Sequence, residues 1–289
     1  MGEPIKCEAS RRLDAYLLKL LEDDCPQADL TTDGLGIGEA VGTVTAQFKH
    51  EGIVAGVLLA KRLFELAGAD VEIFARDGER LAAGEPILRA SASACSLHAA
   101  YKTAQCVMEY ASGIALRTRT MLDAARAVSP IAHVALTRKH FPGTKPIAYA
   151  GAKAGGGIVH RFGLSDSILV FDQHRVFCAD AARSIKRLAA ENPERKTAVE
   201  ADTPAQALRF VELGVDIIQC ERFTVDALAA FCDAARRRNP RIVINAAGGI
   251  NASNAGAYAQ AGADVLVTSW PYFGAPFDVK MRFEAQTKR

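Results

Sequence analysis

Residues 216–249 decide the fold, and they read DIIQCERFTVDALAAFCDAARRRNPRIVINAAGG. Two short apolar runs, 216–220 and 242–246, stand on either side of a segment with helical character. A strand, a helix and a second strand in this order predict one parallel βα unit of an α/β protein. The second run leads into two glycines, Gly248 and Gly249, so the unit also ends in a turn.

The same texture recurs along the chain from Pro130, because short apolar runs alternate there with polar residues and helical segments. Such repetition predicts an α/β barrel, and the number of runs indicates an incomplete one. The pattern alone does not exclude an open, doubly wound sheet. The runs predicted to be strands are 131–137, 167–171, 197–200, 216–220, 242–246 and 264–268.

The part of the chain before Pro130 mixes helices and strands. Residues 41–48 alternate apolar and polar side chains as a strand does, whereas residues 11–22 show the spacing of a helix. The tail at 277–283 alternates again and is predicted to be a strand that returns to the first domain. The remaining predicted elements are a helix at 57–67, short strands within 71–90, a helix at 97–115 and a second helix at 118–127.

The composition excludes several classes of protein. Of the 289 residues, 49% are hydrophobic and 24% are charged, as in an ordinary globular protein. The formal net charge is only +2, so no long-range field attracts nucleic acid or an anionic membrane, and any basic site must be local. The longest apolar run, 53–60, is far shorter than the ~20 residues that cross a bilayer.

The N-terminus and the cysteines indicate the compartment. The first ten residues, MGEPIKCEAS, lack the apolar core of a signal peptide and the sixth-position Ser or Thr of a myristoylation site. No two cysteines form a CxxC pair, so we expect free thiols in a reducing compartment, no zinc site and a cytoplasmic protein. The cysteines are Cys7, Cys25, Cys95, Cys106, Cys178, Cys220 and Cys232.

Charged or small residues follow the predicted strands. In α/β barrels the carboxyl ends of the strands carry the active site, so this placement is typical of a catalytic barrel. Each of these residues taken alone also fits a solvated loop. The strand-end residues are Arg138 and Lys139, Asp172, Glu200, Glu221, Gly248 and Gly249, and Ser269.

The glycine pair after the 242–246 run has a specific use in such barrels, where the loops after the last two strands often bind phosphate. Gly248 and Gly249 would let backbone N–H groups approach the phosphate, and Asn251 or Ser253 would cap a following helix. The alternative is a tight turn that binds no ligand.

Two further groups are open to two interpretations. The glycines at 155–157 precede His160 and Arg161, and they indicate a close approach by backbone or ligand unless they only form a loop. Glu200 and Glu221 end neighbouring strands, a spacing that suits a Mg²⁺ shared with phosphates and water. The alternative for these two acids is an ion pair with a nearby Arg or Lys.

Two motifs, TRKHFPG at 137–143 and GGGIVHR at 155–161, resemble those of quinolinate phosphoribosyltransferase, the nicotinate-nucleotide pyrophosphorylase of NAD synthesis. Matching stretches run almost from end to end of the chain. They are ADLTT at 28–32, EGIVAG at 51–56, SGIA at 112–115 and the glycine pair at 248–249.

The resemblance implies an architecture and an assembly. It implies an N-terminal α/β sandwich domain, residues 1–112 completed by the tail 274–289, and an incomplete α/β barrel, residues 113–273, as the catalytic domain. It also implies a homodimer in which a basic residue of the neighbouring subunit completes the active site. That residue is Lys102, at a position where the family usually has arginine.

The resemblance also implies a reaction. The family joins a pyridine nitrogen to C1 of phosphoribosyl pyrophosphate, expels pyrophosphate and releases one carboxylate as CO₂. Lys139, Glu200 and Glu221 would be catalytic, and the two glutamates would bind Mg²⁺. The small aromatic acid would contact Lys102, Arg138, Lys139, His160, Arg161 and Phe171, and the phosphate would contact Ala247, Gly248, Gly249 and Ser269.

The chain departs from the family pattern at several of these positions. Phe171 stands where the family has a substrate-binding lysine, and losing such a charge-assisted contact lowers affinity about ten- to a hundred-fold. Lys102 lacks the bidentate fork of arginine. These changes point to a less charged or more extended aromatic substrate. The other departures are Glu221 for aspartate, Ala247 for serine, Ser269 for glycine, and Trp270 and Pro271 for small or flexible residues.

YKTAQ at 101–105 and MEYASG at 108–113 resemble more closely the ModD branch of this family, which is associated with molybdenum transport. Three hypotheses follow. The first is a phosphoribosyltransferase for quinolinate or a related acid, or a ModD-type paralogue with a different substrate linked to molybdenum utilisation. The second is a non-catalytic protein that binds an anion or nucleotide on the same scaffold. The third is a barrel lyase with Lys139 as its Schiff-base amine.

Overall fold

The computed structural model describes residues 8–286 of the 289-residue chain, which divide into two compact units. The first unit comprises residues 8–116, 144–155 and 275–286, and the second comprises residues 117–143 and 156–274. The predictions made for the N-terminal stretch MGEPIKC, Cys7 included, concern residues outside the described range.

Helices and strands alternate through most of the described residues. No helix among them is both long enough and apolar enough to cross a membrane. The helices are α1 (Glu8–Asp24), α2 (Leu30–Gly34), α3 (Val57–Leu66), α4 (Ala94–Arg126), α5 (Lys145–Ala154), α6 (Asp172–Arg175), α7 (Ala181–Glu191), α8 (Pro204–Glu212), α9 (Val225–Arg238) and α10 (Ala255–Gln260), with a 3₁₀ helix at Trp270–Tyr272. The strands are β1 (Val41–Phe48), β2 (Gly52–Ile53), β3 (Asp70–Ile73), β4 (Arg80–Leu81), β5 (Pro86–Ser93), β6 (His133–Leu136), β7 (Ile158–Val159), β8 (Ile168–Val170), β9 (Thr197–Ala201), β10 (Ile217–Glu221), β11 (Val243–Ala247), β12 (Val265–Thr268) and β13 (Val279–Ala285).

The larger sheet of the first unit is antiparallel, in the order β13-β1-β5-β3. Because side chains alternate between the faces of a strand, β1 buries Val44, Ala46 and Phe48 on one face, in the core of the unit. β13 pairs with β1 along its length, so that Phe283 lies opposite Val44. The predicted return of the tail as a strand of the first domain is therefore confirmed.

Helix α4 is continuous, and the prediction of two separate helices at 97–115 and 118–127 is wrong. Glycine inside a helix costs about 1 kcal/mol relative to alanine, and α4 contains Gly113. Tertiary packing outweighs that cost, because Ala111 and Ala115 are fully buried on α4. The buried Ser112 hydroxyl also accepts a hydrogen bond from the Ala55 N–H at 3.1 Å.

Helix α5 belongs to the first unit, although its residues fall inside the range predicted for the barrel domain. It packs on α4 at very short distance, since a Cβ on Gly151 would lie 2.5 Å from the carbonyl oxygen of Ala111. Only glycine permits this approach, so Gly151 allows α5 to lie directly against α4.

The sheet of the second unit is parallel, in the order β7-β6-β12-β11-β10-β9-β8. From β8 to β12 each strand lies beside the next one in the chain, and the order never reverses. A doubly wound sheet would reverse at a switch point, so this winding is that of an α/β barrel. The two edge strands, β7 and β8, are not paired with each other in the described structure. The predicted incomplete barrel is confirmed.

In the parallel sheet the structure adds one strand to those predicted, β7, which has only two residues and pairs with β6. A run this short gives no alternation in the sequence, yet it fixes where His160 and Arg161 leave the sheet. The structure also extends β9, β10 and β11 by one residue each beyond the predicted runs. Glu221 and Ala247 therefore lie within strands rather than in the loops that follow, and Glu200 lies within β9 as predicted.

Candidate active site

A cavity of about 1020 Å³ opens at the carboxyl ends of the parallel strands of the second unit. Small-molecule sites commonly measure about 300–1,000 Å³, so this cavity accommodates a ligand larger than a single pyridine acid. Every predicted site residue except Lys102 lines it. These lining residues are Arg138, Lys139, His160, Arg161, Phe171, Glu200, Glu221, Ala247, Gly248, Gly249 and Ser269.

Lys102 lies on α4 in the first unit and does not line the described cavity. Its side chain is exposed, and its Nζ donates a hydrogen bond to Oε1 of Gln105 at 2.9 Å. The same ammonium lies 5.2 Å from the centre of the Tyr101 ring. A contact between Lys102 and a substrate thus stays a prediction that depends on a partner subunit.

The basic side of the cavity consists of Arg138, Lys139, His160 and Arg161, which follow β6 and β7. Arg138 and Lys139 are exposed, and their loop is anchored through Thr137. The Thr137 hydroxyl accepts a hydrogen bond from the Lys139 N–H at 3.1 Å. The Thr137 carbonyl accepts another from the Tyr272 hydroxyl at 2.9 Å. The backbone of the loop is therefore fixed, while its two long cationic side chains extend from it.

His160 is less basic than a free histidine. Burial, and secondarily the neighbouring charge of Arg161, lower the pKa of His160 from 6.5 to about 4. His160 is therefore neutral at pH 7 and offers a ring N–H donor and a ring acceptor instead of a charge. The cluster that the sequence presents as four basic residues carries three cations at neutral pH.

Phe171 contacts the basic side through its ring. The guanidinium carbon of Arg161 lies 5.2 Å from the centre of that ring, which is a cation–π contact. His174 stacks on Phe171 at 5.7 Å, and its Nδ1 accepts the Phe171 N–H at 2.9 Å. Arg161 is buried, and burial followed by the charge of Arg138 lowers its pKa. Phe171 thus provides an apolar wall beside a buried cation.

The acidic side of the cavity consists of Glu200, Asp202 and Glu221, at the ends of β9 and β10. Gln219 donates from Nε2 to Oε2 of Glu200 at 2.6 Å, and so orients this carboxylate. Burial raises the pKa of Glu200, the Gln219 hydrogen bond lowers it, and the charges of Glu221 and Asp202 raise it again. The net direction is upward, so the site disfavours the bare charge on Glu200 until a cation approaches.

The structure contains features of both interpretations of Glu200 and Glu221, the ion pair with a basic residue and the Mg²⁺ site. Glu221 forms a long ion pair with Arg222, with 3.5 Å between Oε1 and Nε. Among residues 8–286 no three His, Cys, Asp or Glu side chains gather as a metal-binding group. The two glutamates nevertheless fit Mg²⁺, which in phosphate sites takes one or two carboxylates and completes its shell with phosphate oxygens and water. The mutual repulsion that raises the pKa of Glu200 is also what a cation would relieve.

The glycine pair adopts a conformation that only glycine tolerates well, with φ of 88° at Gly248 and 75° at Gly249. A Cβ on Gly248 would lie 2.5 Å from Cγ of Arg222, whereas a Cβ on Gly249 would meet nothing within 4 Å. Gly248 therefore packs against the end of β10, and Gly249 faces open space in the cavity.

The loop after the glycine pair differs from its predicted form. The prediction that Asn251 or Ser253 caps the next helix is wrong, because α10 begins at Ala255 and its N-cap position is Asn254. Asn251 instead accepts hydrogen bonds from the N–H and the hydroxyl of Ser253, at 2.9 and 2.7 Å. Asn254 donates from Nδ2 to the Gly249 carbonyl at 3.1 Å. These contacts hold the loop closed on itself and leave the Gly249 backbone in place.

The earlier glycine run serves packing, because neither it nor its neighbours Ile158 and Val159 line the cavity. Gly155 is the C-cap of α5. A Cβ on Gly156 would lie 2.9 Å from Cδ2 of Leu122 on α4. The close approach that the three glycines indicate is thus an approach of the backbone at Gly156 to helix α4, not to a ligand.

Sequence reasoning missed several lining residues, among them Asp202, Gln219 and Arg222. Gln219 lies opposite Glu200 on one neighbouring strand and opposite Asn245 on the other. The Gln219 Oε1 and Asn245 Oδ1 atoms are buried without a hydrogen-bond partner in the described structure. A glutamine inside an apolar strand was a usable signal, since buried polar side chains are seldom placed without a purpose.

Comparison with known proteins decides the family. The model of the quinolinate phosphoribosyl transferase N-terminal domain matches residues 29–112, and that of the C-terminal domain matches residues 114–282. The chain belongs to the quinolinate phosphoribosyltransferase family. The resemblance stated from the motifs is therefore confirmed, including the likeness to the ModD branch.

Individual members of this family align over most of their length. The “Putative pyrophosphorylase ModD” of Pasteurella multocida is 35% identical over 281 residues, which cover 96% of this chain and 98% of that protein. The nicotinate-nucleotide pyrophosphorylase (carboxylating) of Mycobacterium leprae is 29% identical over 264 residues, covering 90% of this chain and 92% of that protein. The crystal structure of NadC from Streptococcus pyogenes has a TM-score of 0.87 and 23% identity, covering 99% of this chain and 100% of that one, and thus shares the fold.

Proposed function

We propose that this protein is a phosphoribosyltransferase that joins an aromatic nitrogen acid to phosphoribosyl pyrophosphate and releases pyrophosphate. The observation that carries the proposal is the division of one cavity into a basic side, an acidic side and an open glycine loop. An acidic acceptor, a ribose whose positive charge grows in the transition state, and a phosphate each need one of these three environments. Membership of the family supports the same reading.

The chemistry assigns roles to residues of the two sides. Arg138, Lys139 and Arg161 hold the carboxylate of the acceptor and balance the charge of the departing pyrophosphate, and neutral His160 donates a hydrogen bond. Glu200 faces the ribose, where a carboxylate fixed by Gln219 stabilises developing positive charge without reorganising. The rest of the acceleration comes from holding the two substrates together.

Magnesium fits this assignment. Glu200 and Glu221 would hold the ion, and a bound Mg²⁺ would supply positive charge to the oxygens of the pyrophosphate. In the described structure the Glu221 carboxylate pairs with Arg222, with 3.5 Å between Oε1 and Nε, and a bound cation would compete with that pair.

The acceptor that we propose is quinolinate or a related aromatic acid, with decarboxylation to nicotinate mononucleotide as the outcome for quinolinate. Phe171 favours an acceptor with one carboxylate fewer, because it places an aromatic ring where a cation would pair with the second carboxylate. A ModD-type paralogue with a different acceptor, linked to molybdenum utilisation, is the second candidate, and Phe171 is the observation that favours it.

We further propose a cytoplasmic homodimer in which Lys102 of one subunit completes the active site of the other. The exposed position of Lys102 on α4 leaves its ammonium accessible to a partner. Two other hypotheses have less support. A non-catalytic binding protein would not need the oriented Glu200, and a Schiff-base lyase needs a desolvated amine, whereas Lys139 is exposed.

The test is a pyrophosphate-release assay with phosphoribosyl pyrophosphate, Mg²⁺ and a panel of acceptors that includes quinolinate, nicotinate and azole carboxylic acids. We expect release with at least one acceptor and its loss in Glu200→Ala. Calorimetry on the same protein separates the alternatives: tight binding of phosphoribosyl pyrophosphate without turnover of any acceptor would support the non-catalytic protein, and borohydride trapping on Lys139 would support the lyase.

A further inference from the structure

Arg222 lines the cavity at the end of β10 and has a strained backbone. Its φ is 55°, and within residues 8–286 no other non-glycine residue has a positive φ. This left-handed conformation is unfavourable for a long side chain, because Cβ approaches the following carbonyl oxygen. Strain of this kind persists where the surrounding structure enforces it, and it concentrates at ligand sites.

Two contacts enforce the conformation of Arg222. Its N–H donates to the Ala247 carbonyl at 2.8 Å, across to the end of β11. Its side chain then passes so close to Gly248 that a Cβ there would lie 2.5 Å from the Arg222 Cγ and 2.8 Å from Oε1 of Glu221. The absence of a side chain at Gly248 thus makes room for Arg222 beside the glycine loop.

The ion pair with Glu221 does not account for the strain. The Arg222 side chain is 83% exposed and its Nε stays 3.5 Å from the Glu221 carboxylate. Exposed pairs of this kind contribute little to stability. The other lining cations, Arg138, Lys139 and Arg161, follow β6 and β7, whereas the glycine loop follows β11, whose neighbours in the sheet are β10 and β12. Arg222 directly follows β10 and is therefore the lining cation nearest in the sheet order to that loop.

We infer that Arg222 binds a phosphate monoester seated on the Gly248-Gly249 loop, an inference that rests on the proposed function. The planar guanidinium matches phosphate oxygens with two parallel hydrogen bonds, which the backbone N–H groups of the loop complement. Gly249 leaves the space for the ligand, and Gly248 leaves the space for the arginine. In the transferase this monoester is the 5′-phosphate of the ribose.

The experiment compares Arg222→Asn and Arg222→Lys with the wild-type protein by titration calorimetry. The probes are phosphoribosyl pyrophosphate, ribose 5-phosphate and inorganic pyrophosphate. Arg222→Asn should bind the two ribose phosphates about ten- to a hundred-fold more weakly, the usual effect of losing a charge-assisted hydrogen bond, while pyrophosphate binding changes less. Arg222→Lys should retain part of the affinity. Arg187→Asn is the matched control, since Arg187 also forms an exposed ion pair, with Glu191, but lies on α7 outside the cavity.

Thermal melting of the same variants tests a purely structural role. Asparagine tolerates a positive φ better than arginine, so Arg222→Asn should melt no lower than the wild type. A lower melting temperature with unchanged binding of ribose 5-phosphate would overturn the inference, and so would an equal loss for inorganic pyrophosphate. If the wild type binds none of the three probes, the proposed function fails as well; if the wild type binds them and Arg222→Asn binds them equally well, only this inference fails.

Discussion

The acidic and basic sides of the cavity are built differently. Glu200 and Glu221 belong to strands β9 and β10, so sheet geometry sets their positions. Arg138 and Lys139 extend from a loop after β6 and are exposed. A side chain held on a strand is preorganised, whereas long side chains on a loop adjust to their ligand. Under the proposed function, we therefore expect the acidic side to determine the reaction and the basic side to determine which acid is accepted.

The largest effect should come from removing the oriented carboxylate. Glu200→Gln keeps an oxygen for the Gln219 hydrogen bond but loses the charge, so pyrophosphate release should fall about 10²- to 10³-fold. Single-turnover kinetics with phosphoribosyl pyrophosphate and the best acceptor measure it. Glu212→Gln, an exposed glutamate of α8 outside the cavity, is the control. A normal rate in Glu200→Gln would mean that the charge of Glu200 is not needed for the reaction.

A smaller effect, on substrate choice, should follow from Phe171→Lys on the other side. A lysine there restores a cation for a second carboxylate, so binding of quinolinate relative to nicotinate should rise about ten- to a hundred-fold. Competition binding with the two acids measures the ratio. Phe177→Lys introduces the same charge at a side chain that is 90% exposed and outside the cavity. An unchanged ratio in Phe171→Lys would mean that this wall does not select the acid.

Gln219→Leu should change the pH dependence of the reaction. The hydrogen bond from Gln219 lowers the pKa of Glu200, so its loss raises that pKa. The acidic limb of the pH profile of kcat/KM should move to higher pH, and the lost rate should recover as the pH of the buffer is raised. A packing defect would lower the rate at every pH instead. Stability should not fall greatly, because the Oε1 atom of Gln219 is buried without a partner in the described structure.

The smallest effect concerns stability and His160. Its folded pKa of about 4 lies below the ordinary 6.5, so between these values the unfolded chain binds more protons. The free energy of unfolding should therefore decrease as the pH falls from 6.5 toward 4, by on the order of 1 kcal/mol per pH unit. Urea denaturation at pH 7 and pH 5 measures this slope, which should be shallower in His160→Gln. The exposed His133→Gln should keep the wild-type slope; equal slopes in all three proteins would contradict the burial of a neutral His160.

The sequence located most of the cavity because parallel strands present their carboxyl ends at one edge. Once residues 197–200 and 216–220 are read as strands, Glu200 and Glu221 must approach each other. Strand β7 could not be predicted in the same way, because two residues show no periodicity. The left-handed backbone conformation of Arg222 could not be predicted either, because arginine has no propensity for it. Only contacts with Gly248 and Ala247 impose this conformation.

The order of the βα units, the family resemblance and the charged residues at the strand ends could all be predicted from the amino-acid sequence alone. These features depend on local periodicity and on motifs, and both are visible in the sequence without knowledge of the fold. Tertiary structure decided that α4 is one helix, that His160 is neutral, that Gln219 orients Glu200 and that Gly248 makes room for Arg222. Each of these depends on burial or on a contact between residues from different elements, and such energies do not exist until the chain has folded.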